Sequence, residues 1–289
     1  MTTSLQSQII VKKPSELTVK WAQNVLYGHS NEEIRSSKIN KVEVMSVDVG
    51  TTTRVRLAVD HDGPNALPNR WFVKLPSLSR RAKLITALPR LLPTEIRFYN
   101  ELATLVPVNK PTVLSASSRL GRRSTLVLND VSEMGAIPGR TGDSLTVEQA
   151  TLVVEQLAYF HAHFMSKAKD DPGFRWLAGP IRRLEDGLGT ALAVPLMKRG
   201  IHLASDWVAS KLHTPALRYA RYRKQVMHFL SKGQPTLVHH DCHPGNLFWH
   251  NGQPGFLDWQ MVRIGEEVSD VSYFLATALT PETRRRHEI

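Results

Sequence analysis

Polar and apolar residues alternate along several segments of the first 131 residues, which is the pattern of half-buried β-strands. The segments are short, rich in β-branched residues and separated by turn-forming sequence such as HDGPNALPN. Five segments show this pattern: KVEVMSVDVG (41–50), TRVRLAVD (53–60), RWFVKLP (70–76), TVLSAS (112–117) and STLVLNDV (124–131). The first three predict an antiparallel meander, and the last two complete a small sheet.

Helical periodicity occurs once inside this strand-rich part, where apolar residues recur at three- and four-residue steps after Pro93. That spacing predicts a helix beginning at Thr94, beside the sheet. Beyond the Gly- and Pro-rich segment EMGAIPGRTGDS, a second helical stripe predicts a helix from Leu145 to about Met165. More helical sequence runs from Ile201 to about Ser231, broken by HTPA, and NLFWHNGQPGFLDW predicts a hairpin with Gly252 in its turn.

Composition fits a globular protein, with 42% hydrophobic and 22% charged residues. The longest apolar runs, such as ALAVPLM, are far shorter than the roughly 20 residues needed to cross a bilayer. The first residues, MTTSLQSQIIVKKP, lack the apolar core of a signal peptide. Cys242 is the single cysteine, so an internal disulfide is excluded. These features predict a cytoplasmic protein.

The chain is strongly basic, with 37 Lys and Arg against 26 Asp and Glu and a net charge of +11. The basic residues occur as short scattered clusters, without one long tract and without interleaved aromatic residues. This distribution favours a solvated basic surface, so no nucleic-acid partner is expected. A phosphate-bearing ligand is compatible with the charge.

The stretch LVHHDCHPGNLFW (237–249) is dense in residues that bear chemistry. A metal site, a polar loop and a catalytic loop are the three alternatives, and spacing alone does not separate them. Zinc sites usually pair ligands across separated turns, whereas the four candidate ligands here are nearly contiguous. Those four are His239, His240, Cys242 and His243. Structural zinc is therefore the weaker alternative.

Several nucleotide-binding and catalytic motifs are absent: G-x-x-x-x-G-K-[ST], G-x-G-x-x-G, H-E-x-x-H and G-x-S-x-G. An ordered series of polar residues is present instead. It comprises Lys74 in a strand, Glu95 in the following helix, and then His239, Asp241, Asn246 and Asp258. Phosphoryl transfer needs a cation on the phosphates, oxygen ligands for Mg²⁺ and a carboxylate that orients the attacking hydroxyl. The spacing of His239, Asp241 and Asn246 is that of the kinase catalytic loop, H-x-D-x-x-x-x-N.

HHDCHPGNLFW followed by GFLDWQMVRIGEEVSDVSYFL resembles the aminoglycoside phosphotransferase and choline kinase-like superfamily, and DWQ is closest to its ecdysteroid kinase-like branch. FVKLP, EIRFYNEL, LVLNDV and LAYFHAHF extend the resemblance over most of the chain from about residue 45. It implies an α+β, two-lobed protein-kinase-like fold. The N-terminal lobe, residues 1–129, would hold an antiparallel sheet and one helix. The lobe of residues 130–289 would be mainly helical. Only 19 residues follow Asp270, so either this lobe is shortened at its end or the sequence is incomplete.

The resemblance also implies roles for individual residues. Asp241 would be the catalytic base, with Asn246 and Asp258 holding Mg²⁺ and with His239 and Asp270 supporting the loop. Lys74 would bind the nucleotide phosphates and pair with Glu95. The turn of Gly50, Thr51 and Thr52 in DVGTTTR would cover the phosphates. Asn129 would lie at the hinge between the two lobes, near the adenine of the nucleotide. An acidic residue is common at this position, so ATP is expected and GTP stays open.

The implied reaction moves the γ-phosphate of ATP to a hydroxyl group of a small-molecule acceptor. A nucleotide-binding pseudokinase without turnover is the alternative from the binding class. A protein substrate is disfavoured, because no APE motif of an activation segment follows Asp258. Neither the acceptor nor the oligomeric state follows from the sequence.

Overall fold

The strand-rich part of the chain forms a five-stranded antiparallel sheet with the strand order β1-β2-β3-β5-β4. The computed structural model describes residues 8–79, 91–119, 123–165, 167–168 and 171–287. The strands are β1 (Ile39–Val49), β2 (Thr52–His61), β3 (Arg70–Pro76), β4 (Val113–Arg119) and β5 (Arg123–Asn129). All five strands match the segments whose alternation predicted them.

The two faces of this sheet have different surroundings. On β2 the side chains of Val55, Leu57 and Val59 are buried, whereas those of Arg54 and Arg56 are not. In register, Arg54 lies opposite Lys74 of β3, so these two side chains project from the same face. The sheet therefore has an apolar face in the core and a face that carries cations.

Two helices precede the sheet and cover its apolar face: α1 (Val19–Tyr27) and α2 (Glu32–Ser36). The Thr18 side chain accepts a hydrogen bond from the Trp21 amide and caps α1. Trp21 is buried, and its ring lies 6.2 Å from that of Trp71. The sequence pattern did not predict these helices, because each is short and its apolar stripe depends on contacts with the sheet.

Helix α3 (Leu91–Glu101) lies beside the sheet, as predicted, but it already includes Leu91 rather than beginning at Thr94. Pro93 is accommodated near its beginning, where a missing amide hydrogen costs little. The ring of Phe98 stacks on Trp259 at 4.4 Å, with an interplanar angle of 6°. Through this contact α3 joins the sheet to the segment that follows the predicted hairpin.

The second part of the chain is mainly helical. Its helices are α4 (Val147–Phe164), α5 (Pro180–Ala191), α6 (Ala193–Leu203), α7 (His213–Leu230), α8 (Glu267–Ala278) and α9 (Pro281–His287). Helix α4 agrees with its prediction and begins with a capping box of Thr146 and Gln149. The predicted break at HTPA is wrong. These four residues form the first turn of α7, where a proline is tolerated.

Short strands frame the chemistry-bearing loop. The strands β6 (Ile137–Pro138), β8 (Leu247–His250) and β9 (Gln253–Phe256) form one sheet, and β7 (Thr236–Val238) pairs with β10 (Arg263–Gly265). The predicted β8–β9 hairpin turns at Asn251 and Gly252, both with positive φ, as a tight two-residue hairpin requires. No helix among the described residues is long and apolar enough to span a membrane.

Candidate active site

Lys74 connects two distant parts of the chain. Its Nζ lies 2.8 Å and 2.9 Å from the two carboxylate oxygens of Glu95, and 2.8 Å from Oδ1 of Asp258. Strand β3 supplies the lysine, α3 supplies Glu95, and the segment after β9 supplies Asp258, which lies 184 positions from the lysine. The Trp259 amide also donates to Oε1 of Glu95 at 3.2 Å. The fold thus brings three members of the predicted series into one cluster.

Burial and charge act against each other in this cluster. Burial disfavours the ammonium of Lys74, but the negative charges of Asp258 and Glu95 outweigh it and raise the pKa of Lys74. Burial also raises the pKa of Glu95, against the opposing effect of the lysine. One ammonium facing two carboxyl groups leaves the cluster short of positive charge. A further cation is therefore favoured here.

The loop between β7 and β8 is held from below by Asp270 of α8. Oδ2 of Asp270 accepts a hydrogen bond from the His239 amide at 2.7 Å, and Oδ1 accepts one from the His240 amide at 2.6 Å. His161 of α4 lies 3.0 Å from Oδ2 through its Nε2. Although burial opposes the charge, these hydrogen bonds and the two histidines lower the pKa of Asp270. The buried carboxylate fixes the backbone of the loop at two successive amides.

His239 is locked in one orientation by both of its ring nitrogens. Nε2 lies 2.8 Å from the carbonyl oxygen of Leu257, and Nδ1 accepts from the Asp241 amide at 3.3 Å. Burial lowers the pKa of His239, so the neutral ring that this pattern requires is favoured. His239 therefore links the loop to the residue before Asp258.

His240 adopts a left-handed backbone conformation, with φ of 65°. This conformation disfavours residues with a Cβ by about 1–2 kcal/mol. Burial and the charge of Arg263 lower the pKa of His240 to about 4, so its ring is neutral near pH 7.

His240→Gly is expected to be more stable than His240→Ala by about 1 kcal/mol, because only glycine adopts this φ without strain. Urea unfolding of the two variants measures the difference. His250 lies in strand β8, outside the residues with positive φ. The same pair of substitutions at His250 should therefore give the opposite order. Equal stabilities of the two His240 variants would contradict the strained conformation.

Asp241 and Asn246 are joined across the loop. Nδ2 of Asn246 donates to the carbonyl oxygen of Asp241 at 2.9 Å and to its Oδ2 at 3.0 Å. Oδ1 of Asp241 lies 4.0 Å from Nε2 of His243. Burial raises the pKa of Asp241, and the negative charge of Asp258 acts in the same direction against the two neighbouring histidines. A raised pKa makes this carboxylate a stronger proton acceptor than an ordinary aspartate.

A cleft of about 240 Å³ lies between the cation-bearing face of the sheet and the residues that directly precede and follow the β8–β9 hairpin. Arg54, Arg56, Phe72 and Lys74 line it from the sheet. Asn246 and Asp258 line it from the opposite side, and Asn129 lies at its hinge end. Asp258 has a left-handed backbone, with φ of 62°. Asp241 is hydrogen-bonded to Asn246 and Glu95 to Lys74, and both of these partners line the cleft. Most of the predicted site residues therefore meet at this cleft.

Two parts of the predicted site are arranged less simply. Gly50 and Thr51 connect β1 to β2 and Thr52 begins β2, as expected, but the described lining of the cleft includes none of the three. The side chain of Asn129 is used internally: its Oδ1 accepts from the Thr112 amide at 2.7 Å. Its Nδ2 points to the sulfur of Met134 at 3.4 Å. The side chain of Asn129 therefore connects the end of β5 to Thr112 and Met134.

The four residues of the zinc alternative do not converge. His239 uses both ring nitrogens in hydrogen bonds, and Nδ1 of His243 accepts from the Gly245 amide at 3.1 Å. Burial raises the pKa of the Cys242 thiol, which keeps it protonated. Within the described ranges, no group of three or more His, Cys, Asp or Glu side chains is arranged to hold a metal ion.

Sequence reasoning missed part of the cleft and of its support. Arg54 and Arg56 were read only as polar positions of a strand, and Asp48 and Asp130, which pair with them, were not singled out. Alternation on β2 was the available signal, because it places both arginines on the face opposite the core. The contact of the buried His161 with Asp270, whose Oδ2 lies 3.0 Å from Nε2 of the histidine, was also not foreseen from the sequence.

Comparison with known proteins places the chain in a family. The sequence model of the phosphotransferase enzyme family matches residues 47–288. The chain belongs to this family. A search of curated proteins finds no match. The predicted relation to aminoglycoside and choline kinase-like phosphotransferases is thus confirmed at the family level, whereas the ecdysteroid kinase-like branch stays a prediction.

Solved structures of phosphotransferases share the fold. A mutant of aminoglycoside 2′-phosphotransferase-IIIa in complex with GDP has 16% identity and a TM-score of 0.52, covering 86% of this chain and 75% of that chain. The GDP and kanamycin complex of APH(2″)-IIIa has 17% identity and a TM-score of 0.51, with coverages of 86% and 76%. APH(3″)-Id from Streptomyces rimosus has 16% identity and a TM-score of 0.50, with coverages of 86% and 80%. The two-lobed kinase-like fold predicted for this phosphotransferase is therefore confirmed.

Proposed function

We propose that this phosphotransferase moves the γ-phosphate of ATP, bound with Mg²⁺, to a hydroxyl group of a small molecule. The observation that carries the proposal is the meeting of Lys74, Asn246 and Asp258 on one cleft, with Asp241 bonded to Asn246. Cation, oxygen ligands and carboxylate are the parts that phosphoryl transfer requires. GDP in two structures of the same fold supports a nucleotide in the cleft and keeps GTP open.

The donor set fits Mg²⁺, which prefers oxygen ligands. Because Nδ2 of Asn246 donates to Asp241, its Oδ1 is left as an acceptor beside the cleft. Asp258 contributes a carboxylate whose Oδ2 accepts a long hydrogen bond of 3.3 Å from Nε2 of Gln260. We propose that Asn246 and Asp258 hold the ion, which would neutralise charge on the phosphates. Its positive charge also suits a cluster in which two carboxyl groups face one lysine.

The catalytic role falls to Asp241. Its Oδ2 is occupied by the amide of Asn246, so Oδ1 is the atom that would accept the proton of the acceptor hydroxyl. The bond from Asn246 fixes the carboxylate plane, and the Asp270 brace fixes the backbone before it. Lys74, held by the fully buried Glu95, would contact the phosphates. The turn of Gly50, Thr51 and Thr52 would cover them.

Residues 1–129 would form the nucleotide lobe and residues 130–289 the acceptor lobe. Asn129 is the last residue of β5, and β5 is the last strand of the five-stranded sheet along the chain. The proposed boundary therefore lies directly after this sheet. A small molecule with a hydroxyl group is the proposed partner, and kanamycin in a structure of the same fold supports this class. We place the reaction in the cytoplasm and propose no nucleic-acid partner.

An ATP-consumption assay with Mg²⁺ tests the proposal over choline, aminoglycosides, sugars, sterols and amino alcohols. At least one class should stimulate ATP consumption and yield a phosphorylated product detectable by mass spectrometry. Thermal unfolding with and without nucleotide is measured in parallel. Stabilisation by ATP without any product would favour the pseudokinase alternative. The absence of both stabilisation and product would overturn nucleotide use altogether.

The activity should have an acid limb above the ordinary aspartate pKa of 3.8, because the pKa of Asp241 is raised and only its ionised form accepts a proton. On lowering the pH, kcat/KM should therefore fall before an ordinary aspartate would be protonated. A pH profile of kcat/KM, taken where circular dichroism shows the fold intact, measures this. A limb at or below 3.8 would contradict the assignment of Asp241 as the base.

A further inference from the structure

We infer that Arg54 is a second cationic ligand of the nucleotide phosphates, beside Lys74. This inference rests on the proposed function, since it concerns the nucleotide in the same cleft. Arg54 lies opposite Lys74 in the pairing of β2 with β3, and both line the cleft. Residues paired across two antiparallel strands project from the same face, so the two cations point to one volume.

Two neighbouring pairs of residues on β2 and β3 form the floor of the cleft, and three of the four side chains are cations. Arg54 and Arg56 are two residues apart on β2, and their register partners Lys74 and Phe72 are two apart on β3. Because side chains of a strand alternate between faces, all four belong to the same face. Val55 and Val73, which lie between these positions on β2 and β3, are buried on the other side. The sheet therefore offers the cleft two arginines as well as the lysine.

The two arginines differ in how firmly they are held. Arg56 pairs at 3.2 Å with Asp130, whose side chain is 4% exposed, and its guanidinium lies 5.8 Å from the ring centre of Phe72. Arg54 pairs with Asp48 instead, and these side chains are 43% and 66% exposed. An exposed ion pair contributes little, so a phosphate can displace Asp48 at small cost. Arg54 is the arginine that is free to change partner.

The position of Arg54 matches the phosphate end of the cleft. Arg56 lies at the hinge end, through its bond to Asp130 at the end of β5. Arg54 lies at the opposite end, toward the turn between β1 and β2: one of its nitrogens is 3.4 Å from where a Cβ on Gly50 would be. Lys74 lies beside Arg54, as its register partner on β3. A guanidinium there can bind phosphate oxygens in the two-pronged geometry that lysine lacks.

The test compares binding of adenosine, ADP and ATP by isothermal titration calorimetry. Arg54→Gln is expected to weaken ATP binding about tenfold, the loss of one charge-assisted hydrogen bond, and to leave adenosine within about twofold. Arg35→Gln is the matched control, because Arg35 forms an exposed pair with Glu32 on α2, away from the cleft. It should bind all three ligands as the unmodified protein does.

Arg56→Gln separates the two ends of the cleft. Because Arg56 lies at the hinge end, its loss should weaken adenosine and ATP by similar factors. If Arg54→Gln bound ATP as tightly as the unmodified protein, or lost adenosine and ATP equally, the role of Arg54 would be overturned. If the unmodified protein itself bound ADP and ATP no better than adenosine, the proposed function would fail as well. The unmodified protein therefore separates a failure of the proposed function from a failure of the role of Arg54 alone.

Discussion

Asp241→Asn is expected to lower kcat by a factor of about 10² to 10⁴, the usual contribution of a general base. The amide keeps the size of the carboxylate but cannot accept the proton of the acceptor hydroxyl. It can still present an oxygen to Nδ2 of Asn246, now 3.0 Å from Oδ2, so the loop should keep its shape. The KM for ATP should change little, because the nucleotide is bound by other groups.

Asp60→Asn is the control for this substitution. Asp60 is exposed in β2, outside the residues that line the cleft. Its kcat should equal that of the unmodified protein, and both variants should have the same thermal midpoint within about 2 °C. A kcat for Asp241→Asn within about twofold of the unmodified value would remove Asp241 from the catalytic role.

Asp270→Asn is expected to destabilise the protein by about 3 kcal/mol. The carboxylate accepts two backbone amides and faces His161, and it is almost fully buried. An asparagine must turn its NH₂ group toward at least one of these donors, which leaves buried hydrogen-bond groups unpaired at about 1–3 kcal/mol each. Urea unfolding monitored by tryptophan fluorescence measures the loss. The left-handed His240 loses its support, so kcat should also fall.

Asp62→Asn is the exposed counterpart. Oδ1 of Asp62 accepts the Lys38 amide at 2.6 Å on the protein surface, and the amide oxygen of an asparagine can replace it. Its effect should stay below about 1 kcal/mol. A loss at Asp270 as small as that at Asp62 would show that the brace contributes nothing particular to stability.

The contribution of Asp270 to stability also depends on pH. The pKa of Asp270 is lowered in the folded protein, so its contribution is present above the unfolded pKa and is lost as the pH falls through the folded value. The unmodified protein should therefore lose stability on acidification more steeply than Asp270→Asn. Parallel curves for the two proteins would contradict the ionised state of Asp270.

The sequence predicted those parts of the molecule that depend on local pattern. Alternation along 53–60 and 70–76 reflects a sheet with one apolar face, and that face is buried, whereas Val44, Val47 and Val49 of β1 are exposed. The helical stripe before Met165 reflects the buried side of α4. The loop from His239 to Asn246 was predictable because its chemistry lies in one short segment. In each case neighbouring residues contain all of the information.

Helices α1 and α5 were not predicted, since short amphipathic segments acquire their stability from the surfaces they cover. HTPA was read as a break, because a proline has opposite meanings at the beginning and in the middle of a helix. The strain at His240 was also outside local pattern. The amide of this residue donates to Asp270, which lies 30 positions away.

The sequence by itself determined the residue types and their order: a strand lysine, a helix acid and a loop with aspartate and asparagine. Only the tertiary structure decided that Lys74 reaches both Glu95 and Asp258, that Asp270 supports the histidine-rich loop through two successive backbone amides, and that Arg54 shares the face of Lys74. The physical reason is that hydrogen bonds and ion pairs depend on distances of about 3 Å. Such distances between remote segments arise only when sheet and helices pack.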